Sequence, residues 1–204
     1  KKKLIFKTAF KEYVRGNQIG EGGPGRVFLV SDGENEYAMK VLKPDCINSN
    51  RMQRFRQEIL FLIKTDHKNI ISVSDHGIKE VDGKDYPFYI MPRFDKTLHT
   101  LMEEGIEPNK VLRIFSQILD GVETAHKLGV THRDLKPKNI LYSISDDRIV
   151  VADFGISHFA SDLLETLIET KTDDIHGNFQ YAAPEQRQKR ATVDNRADIY
   201  ALGM

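Results

Sequence analysis

Cysteine is almost absent from this sequence, its charges balance, and it contains no long apolar run. The single cysteine, Cys46, cannot form an intramolecular disulfide and has no Cys or His companion at metal-ligand spacing, which excludes a disulfide-stabilised secreted scaffold and a zinc module. Thirty basic and thirty acidic residues give a formal net charge of zero, so no overall basic field is available for binding nucleic acid. We therefore expect a protein of a reducing compartment without a nucleic-acid partner.

Segments that would direct the chain to a membrane are missing as well. The apolar residues 4–6 that follow three lysines are broken at once by Lys7, which is not the pattern of an export signal. No window approaches the roughly 18 uncharged apolar residues of a membrane helix. The 204 residues, 40% of them hydrophobic, suffice for a packed core in one domain or two small ones. We expect a cytoplasmic catalytic or binding domain, which leaves open a membrane anchor outside this chain.

The first 91 residues predict an antiparallel sheet with one helix. Short segments rich in apolar and β-branched residues predict strands, at 26–30, 37–42, 69–78 and 85–91. Asp32-Gly33 and Asp82-Gly83 separate the members of each pair and are hairpin-turn signals. Apolar residues at helical spacing between 50 and 64 predict the helix.

The remaining residues predict a mostly helical region. Apolar residues keep a 3.6-residue period over 111–125, and Gly129 stands where a helix C-cap glycine would be. Two short strands are predicted next, at 140–144 and 148–152. Residues 156–182 show little periodicity, and a loop of that length inside a compact domain is usually functional or mobile. The change of character places a boundary at about 92–96.

A glycine pattern precedes the first predicted hairpin. Gly20, Gly22 and Gly25 form G-x-G-x-x-G, in which the absence of side chains lets backbone N–H groups approach phosphate oxygens. On this motif alone, a glycine-rich hairpin tip is an equally good interpretation. A dinucleotide-binding fold would need a helix to begin at the third glycine, whereas residues 26–30 predict a strand, so that alternative is rejected.

Two charged residues interrupt otherwise apolar elements. Lys40 lies in an apolar strand, where an isolated lysine more often reaches out to solvent. Glu58 lies within the predicted helix between apolar residues, where a carboxylate near the buried face is costly unless it is paired. A Lys40–Glu58 ion pair would satisfy both groups and direct the ammonium group towards a phosphate.

The polar segment 132–139 carries candidate catalytic groups. Asp134 can accept a hydroxyl proton, Lys136 can stabilise developing phosphate charge, and the amide oxygen of Asn139 can bind a cation. Asp153, which begins Asp-Phe-Gly, supplies a carboxylate for the same cation, and such hard oxygen ligands suit Mg²⁺. Each segment alone could be a polar loop that caps a helix or ends a strand.

Together with Ala-Pro-Glu at 183–185, these motifs in this order resemble the protein kinases, and the resemblance extends from Gly20 to Gly203. It implies an α+β, bilobal fold with ATP bound between the lobes. The N-lobe, residues 1–94 with a hinge at 92–94, would hold an antiparallel sheet and one helix. The C-lobe, residues 95–204, would be mostly helical and truncated after the start of its central buried helix. Apolar residues expected in that helix are Ile199, Tyr200, Leu202 and Met204.

The resemblance also implies a role for each candidate residue. The residues that would contact ATP are Gly20, Gly22, Gly25, Val27, Ala38, Lys40, the gatekeeper Met91, the hinge residues Pro92 and Phe94, and Leu141. The catalytic set would be Asp134 as the base with Lys136, Lys40 and Glu58. Mg²⁺, or Mn²⁺ in its place, would be held by Asn139 and Asp153.

Further features indicate which kind of protein kinase the sequence resembles and suggest that phosphorylation regulates its activity. Lys136 is the serine/threonine-kinase form of its loop, and residues 177–186 are similar to the eukaryotic-like serine/threonine kinases of bacteria, although Asn178 replaces their usual threonine. The implied reaction is transfer of the γ-phosphate of MgATP to serine or threonine hydroxyls of a protein substrate in signalling, with a homodimer as a candidate arrangement for autophosphorylation. Phosphorylation at Thr170 and Thr172 is expected to activate the enzyme through the arginine that precedes Asp134.

Two other function classes compete with an active protein kinase. A nucleotide-binding pseudokinase or scaffold would be expected to have lost at least one of Lys40, Asp134 and Asp153, and all three are present. A small-molecule kinase of the antibiotic-modifying kind shares the spacing of Asp134 and Asn139 but generally lacks the Ala-Pro-Glu segment at 183–185. The sequence therefore favours the protein kinase.

Overall fold

The computed structural model describes residues 4–22, 25–43, 49–154, 180–188 and 191–204. The predicted phosphorylation sites Thr170 and Thr172, and also Asn178 and Cys46, lie outside the described residues. The chain divides into two compact units. The first unit contains Lys1–Asp66 and Ile71–Arg93, and the second contains His67–Ile70 and Phe94–Met204.

The described part of the first unit is a six-stranded antiparallel sheet with one helix. Its elements along the chain are β1 Ile5–Lys7, β2 Glu12–Gly22, β3 Gly25–Ser31, β4 Glu36–Leu42, α1 Ser49–Lys64, β5 Asp75–Val81 and β6 Lys84–Pro92. The strands lie in the order β1-β2-β3-β4-β6-β5, so β4 and β6 are interior strands. Asp82 and Gly83, between β5 and β6, both have positive φ angles, 51° and 72°, as a tight hairpin turn requires.

Alternation along the strands separates two faces of this sheet. One face carries the hydrophobic core, which consists of Phe6, Tyr13, Phe28, Val30, Met39, Val41, Phe88 and Ile90. Val27, Lys40 and Tyr89 are register partners on β3, β4 and β6, and register partners in antiparallel strands point to the same face. Because each of them is next to a core residue in sequence, these three side chains lie on the opposite face.

Helix α1 covers that opposite face. Its buried residues are Phe55, Glu58, Ile59 and Leu62, at the spacing of one helical stripe. Phe55 packs on Tyr89 of β6 with ring centroids 5.5 Å apart. Both faces of β4 are thereby covered, which explains why all residues from Ala38 to Leu42 are buried.

The second unit combines helices with a small sheet in the part that the structure describes. Its elements are β7 Lys96–Thr97, α2 Leu98–Glu104, α3 Pro108–Lys127, β8 Ile140–Ser143, β9 Arg148–Val151 and α4 Arg196–Leu202, with 3₁₀ turns at Pro137–Asn139 and Pro184–Arg187. The sheet order is β7-β8-β9. Helix α3 begins with a proline at its first position and ends before Gly129, whose φ is 75°. The predicted α+β fold class is confirmed.

Close packing joins α3 to residues 67–70. A side chain at Gly121 would place its Cβ 2.5 Å from the carbonyl oxygen of Asn69, so only glycine permits this approach. The Val151 amide donates to the same Asn69 oxygen at 2.9 Å. The strand predicted over 69–78 is therefore wrong in its first half, because Ile70 is buried beside Val151, and the strand begins at Asp75.

The buried face of α3 differs from expectation. In α3 the buried apolar residues are Ile114, Ile118, Val122 and Ala125, whereas Val111 and Phe115 are 46% and 41% exposed. In α4 the buried residues are Ala197 and Asp198, while Ile199 is 57% exposed and Tyr200 and Met204 are exposed as well. No helix within the described ranges combines the length and the apolar character that a membrane span requires.

Candidate active site

The first unit contains the predicted ion pair. Lys40 Nζ donates to Glu58 Oε1 at 2.7 Å, and both residues are 6% exposed. Lys40 reaches Glu58 because its strand position faces α1 rather than the hydrophobic core. The phenol of Tyr89 donates to the same oxygen, Glu58 Oε1, at 2.9 Å. The carboxylate thus receives two hydrogen bonds on one oxygen, which reduces the cost of burying its charge.

The glycine pattern forms the hairpin between β2 and β3. Gly20 is the register partner of Val27, and Gly22 is the partner of Gly25. A Cβ at Gly25 would lie 3.1 Å from Lys40 Cε, so the glycine leaves room for the lysine side chain. Glu21, within the same hairpin, accepts a hydrogen bond from Lys43 at 2.6 Å, and this bond together with that from Gln18 holds the pKa of Glu21 below its usual value.

The apolar residues expected to surround adenine fall into both units. Ala38 and Met91 are register partners and are both buried, and they share the sheet face of Lys40. Val27 is partly buried on the same face, and Pro92 ends β6 opposite Tyr37. The other two residues, Phe94 and Leu141, belong to the second unit, where Phe94 lies under the Arg148 guanidinium and Leu141 pairs with Thr97 and Val150.

The second unit brings Asp134, Lys136 and Asn139 together. Lys136 Nζ donates to Asp134 Oδ1 at 3.0 Å, and Asn139 Nδ2 donates to Asp134 Oδ2 at 2.9 Å and to the Asp134 carbonyl oxygen at 2.7 Å. The 3₁₀ turn 137–139 produces this geometry, because it folds the chain back so that the Asn139 amide donates to the Lys136 carbonyl. The Asp134 carboxylate is consequently held from two sides while remaining one-third exposed.

A buried carboxylate that the sequence did not reveal supports this segment. Asp198 of α4 is 1% exposed and accepts the backbone N–H groups of His132 and Arg133 at 2.8 Å each, through its two oxygens. His126 Nε2 lies 2.7 Å from Asp198 Oδ2. Asp198 therefore fixes the chain just before Asp134, where Arg133 has a φ of 64°. The available signal was a carboxylate in an otherwise apolar stretch of the last helix.

His132 and Phe154 hold the residues around Asp153. The His132 ring accepts the Asp134 amide on Nδ1 at 3.3 Å and donates from Nε2 to the Ala152 carbonyl at 2.9 Å, which defines its neutral tautomer. Phe154 is 1% exposed and packs on this ring at 4.7 Å. Asp153 itself has a φ of 58°, a conformation that its packed neighbours on both sides maintain.

Asn139 and Asp153 fit a hard cation. The Ala152 amide donates to the Asn139 carbonyl at 2.9 Å, which brings the residue before Asp153 against Asn139. Both hydrogens of the Asn139 amide are directed at Asp134, so its Oδ1 is the atom left to accept. An amide oxygen and a carboxylate suit Mg²⁺, which usually takes few protein ligands and completes its shell with phosphate and water. No group of three or more His, Cys, Asp and Glu side chains that could hold a metal occurs among the described residues.

Residues beyond the undescribed segment contact Arg133. Gln186 Nε2 donates to the Arg133 carbonyl at 2.7 Å, and Gln186 Oε1 accepts the Ala183 amide at 3.0 Å. The Arg133 guanidinium donates to the Val193 carbonyl at 3.1 Å. The chain on the far side of residues 155–179 is therefore tied to the residue that precedes Asp134.

Comparison with known proteins identifies the family to which these motifs belong. The model of the protein kinase domain family matches residues 13–204. The chain is 36% identical to the serine/threonine-protein kinase PrkC of Bacillus subtilis over 98% of its length, 35% identical to a probable serine/threonine-protein kinase PknB of Lactococcus lactis over 92%, and 32% identical to PknB of Mycolicibacterium smegmatis over 94%. It spans 29–31% of the length of these three relatives. The chain therefore belongs to the protein kinase domain family, as a catalytic domain of the bacterial serine/threonine type.

Proposed function

We propose that the protein transfers the γ-phosphate of ATP to serine and threonine hydroxyls of protein substrates. The observation that carries this proposal is the Asp134 carboxylate, held by Asn139 on one side and by Lys136 on the other. A carboxylate positioned in this way orients a hydroxyl nucleophile, and a fixed ammonium group beside it stabilises charge on a phosphoryl group. Family membership and the names of the relatives support the same reaction.

Each unit would contribute different groups to the reaction. In the first unit, Lys40 would bind ATP phosphates, with Glu58 fixing its direction and the 20–25 hairpin presenting backbone N–H groups. The adenine would be surrounded by Val27, Ala38, Met91 and Leu141, and the hinge residues Pro92 and Phe94 would contact it as well. In the second unit, Asp134 would accept the hydroxyl proton as the oxygen attacks phosphorus, and Lys136 would stabilise the oxygens of the transferred group.

A divalent cation is part of the proposal because kinases of this family use ATP with such an ion. Asn139 Oδ1 and the Asp153 carboxylate would hold Mg²⁺, with Mn²⁺ as a substitute, and the bound ion would offset negative charge on the ATP phosphates. The protein's own contribution is to keep the amide and carboxylate oxygens in place through Asp134 and through the packing of Phe154.

Regulation by phosphorylation at Thr170 and Thr172 is proposed for the same enzyme. The contacts of Gln186 and Val193 with Arg133 support it, because they link the residues that follow segment 155–179 to the backbone beside Asp134. A phosphate brings about −1.5 to −2 charges and strong acceptor oxygens, which suit an arginine. Autophosphorylation within a homodimer would supply it, and since ATP and the protein substrates are intracellular, we propose a cytoplasmic location.

The test is phosphate transfer from γ-labelled ATP to a generic basic protein, followed by separation of the phosphoamino acids. We expect label on phosphoserine and phosphothreonine in the full-length protein and in the control Asp85→Asn, whose exposed side chain lies outside the site. Asp134→Asn should lose the label. Nucleotide binding without transfer by the wild-type protein would instead assign a pseudokinase, and label on a small molecule alone would assign a small-molecule kinase.

A further inference from the structure

The hydroxyl of Tyr89 is hydrogen-bonded to the acidic member of the buried ion pair. Tyr89 is 1% exposed, and its phenol oxygen lies 2.9 Å from Glu58 Oε1, the same atom that Lys40 Nζ contacts at 2.7 Å. Its ring also contacts the lysine, because Lys40 Nζ lies 5.8 Å from the Tyr89 centroid and 5.8 Å from that of Phe55. Tyr89 therefore interacts with both members of the pair.

The backbone of Tyr89 is held more firmly in the fold than that of Glu58. It belongs to β6, which is bordered by β4 and β5, and its register partners on those strands are Lys40 and His76. An interior strand residue with neighbours on both sides cannot shift without breaking both ladders. Glu58, in contrast, is carried by α1, which lies on the sheet through side-chain packing.

We propose that Tyr89 is a positioning residue for phosphate binding, which anchors Glu58 to the sheet and so keeps Lys40 directed at the ATP phosphates. The O–H group donates to the ionised carboxylate and fixes one of its two oxygens, so that the ammonium group meets Glu58 in one orientation. A hydrogen bond from a strand to a helix-borne carboxylate also opposes movement of α1 away from β4. For its activity readout this inference rests on the proposed function.

The alternative is that the Tyr89 ring only fills the core, and that Glu58 merely provides a hydrogen-bond acceptor for the buried hydroxyl. A buried hydroxyl needs a partner in either case, so the hydrogen bond alone does not separate the two roles. A double-mutant cycle does, because a positioning hydroxyl acts through the Glu58 carboxylate and loses its effect when that carboxylate is replaced.

The experiment compares four variants of the full-length protein, namely Tyr89→Phe, Glu58→Ala, the combination of both, and the control Tyr86→Phe. Alanine is used because a glutamine oxygen would still accept the Tyr89 hydroxyl. Tyr86 lies on the same strand and is partly buried, and its hydroxyl makes no hydrogen bond to any described residue. Tyr89→Phe should lower kcat about tenfold, as expected for the loss of a hydrogen bond to a charged group, with the KM for the protein substrate unchanged. Tyr86→Phe should stay within about twofold of wild type, and Tyr89→Phe should have no further effect in the Glu58→Ala background.

An equal loss from Tyr89→Phe in both backgrounds, or no loss in either, would overturn the proposal. If the wild-type protein transfers no phosphate, the proposed function fails, and Tyr89 is then judged by hydrogen–deuterium exchange of α1. Faster exchange of the α1 amides in Tyr89→Phe than in both the wild type and Tyr86→Phe supports the anchor, and equal exchange rejects it.

Discussion

Lys40 and Glu58 illustrate why buried charges at this site occur in pairs. Each residue is 6% exposed, and an isolated charge at such a position would carry a large desolvation cost. Their contact at 2.7 Å and the Tyr89 hydroxyl offset that cost. The two side chains are consequently shielded from solvent and fixed in position. This suits a group whose proposed task is to hold phosphate in a fixed direction.

Replacement of the lysine tests this task at the residue scale. Lys40→Met keeps the length of the side chain but removes the cation, and it should lower phosphate transfer by about 10²-fold or more. The control is Lys64→Met, an exposed lysine in the last turn of α1 that should retain full activity. Initial rates at saturating ATP make the comparison, and a Lys40→Met enzyme that keeps wild-type turnover would remove the lysine from the mechanism.

Asp153 is the second residue whose charge can be tested alone. Asp153→Asn preserves shape but removes a negative ligand, so we expect a loss of about 10²-fold or more in turnover at ordinary Mg²⁺ concentrations. The apparent affinity for Mg²⁺ should fall at the same time, which a titration of rate against Mg²⁺ measures. An unchanged Mg²⁺ dependence would show that Asp153 does not contact the ion.

Helix α4 contacts the segment before Asp134 through a buried carboxylate, that of Asp198. Asp198 accepts both the His132 and Arg133 amides, and its other neighbour is His126 of α3. The segment before Asp134 is thus attached to two helices through one carboxylate. The hydrogen bonds of this junction stabilise the segment, while Ile199 on the same helix is exposed.

Asp198→Asn should lower the free energy of unfolding clearly, although the substitution hardly changes the size of the side chain. The amide nitrogen would face one of the two backbone N–H groups, and a buried donor left without an acceptor costs about 1–3 kcal/mol. Denaturant unfolding measures the change in the free energy of unfolding. Asp194→Asn, which affects an exposed pair with Arg196, should leave that free energy almost unchanged. Equal stability of the two variants would contradict the role of Asp198.

The elements differ in how far the sequence predicted them. The strands β3, β4 and β6, which lie beside the turn signals Asp32-Gly33 and Asp82-Gly83, were predicted within one residue at each end, because the turn fixes where the strand begins or ends. The exposed side of α3 was not, since a 3.6-residue period shows that a stripe exists but not where its edge lies, and Phe115 was assigned to the wrong side. Residues 69–74 resembled a strand because apolar residues buried in a loop have the same pattern.

The site residues also differ in how far the sequence predicted them. The charged residues of the recurring motifs, Lys40 and Asp134 among them, could be selected from type and spacing. Asp198 and Tyr89 could not, because their importance depends on partners that only the folded register brings to them. A carboxylate within an apolar stretch indicates that it is buried and paired, but the sequence does not indicate which groups are its partners.

At the scale of the whole molecule, the segment between Asp153 and Glu185 is where we propose that phosphorylation regulates activity. Replacement of Thr170 and Thr172 together by alanine should lower activity towards an independent substrate, because Arg133 would lack a phosphate partner. The acidic residues that follow, Asp173 and Asp174, should leave some basal activity. Peptide mapping of the MgATP-treated wild type locates the phosphates, and a fully active double variant together with an unphosphorylated wild-type loop would reject the switch.

The central claim is phosphoryl transfer dependent on Asp134, and intact-mass spectrometry of the full-length protein after incubation with MgATP tests it most directly. The account predicts that the wild-type spectrum gains whole phosphoryl increments, that Asp134→Asn remains at its starting mass, and that omission of the divalent cation stops the reaction. A wild-type protein that transfers no phosphate to itself or to an added protein under these conditions, or an Asp134→Asn variant that gains the same increments, would contradict it.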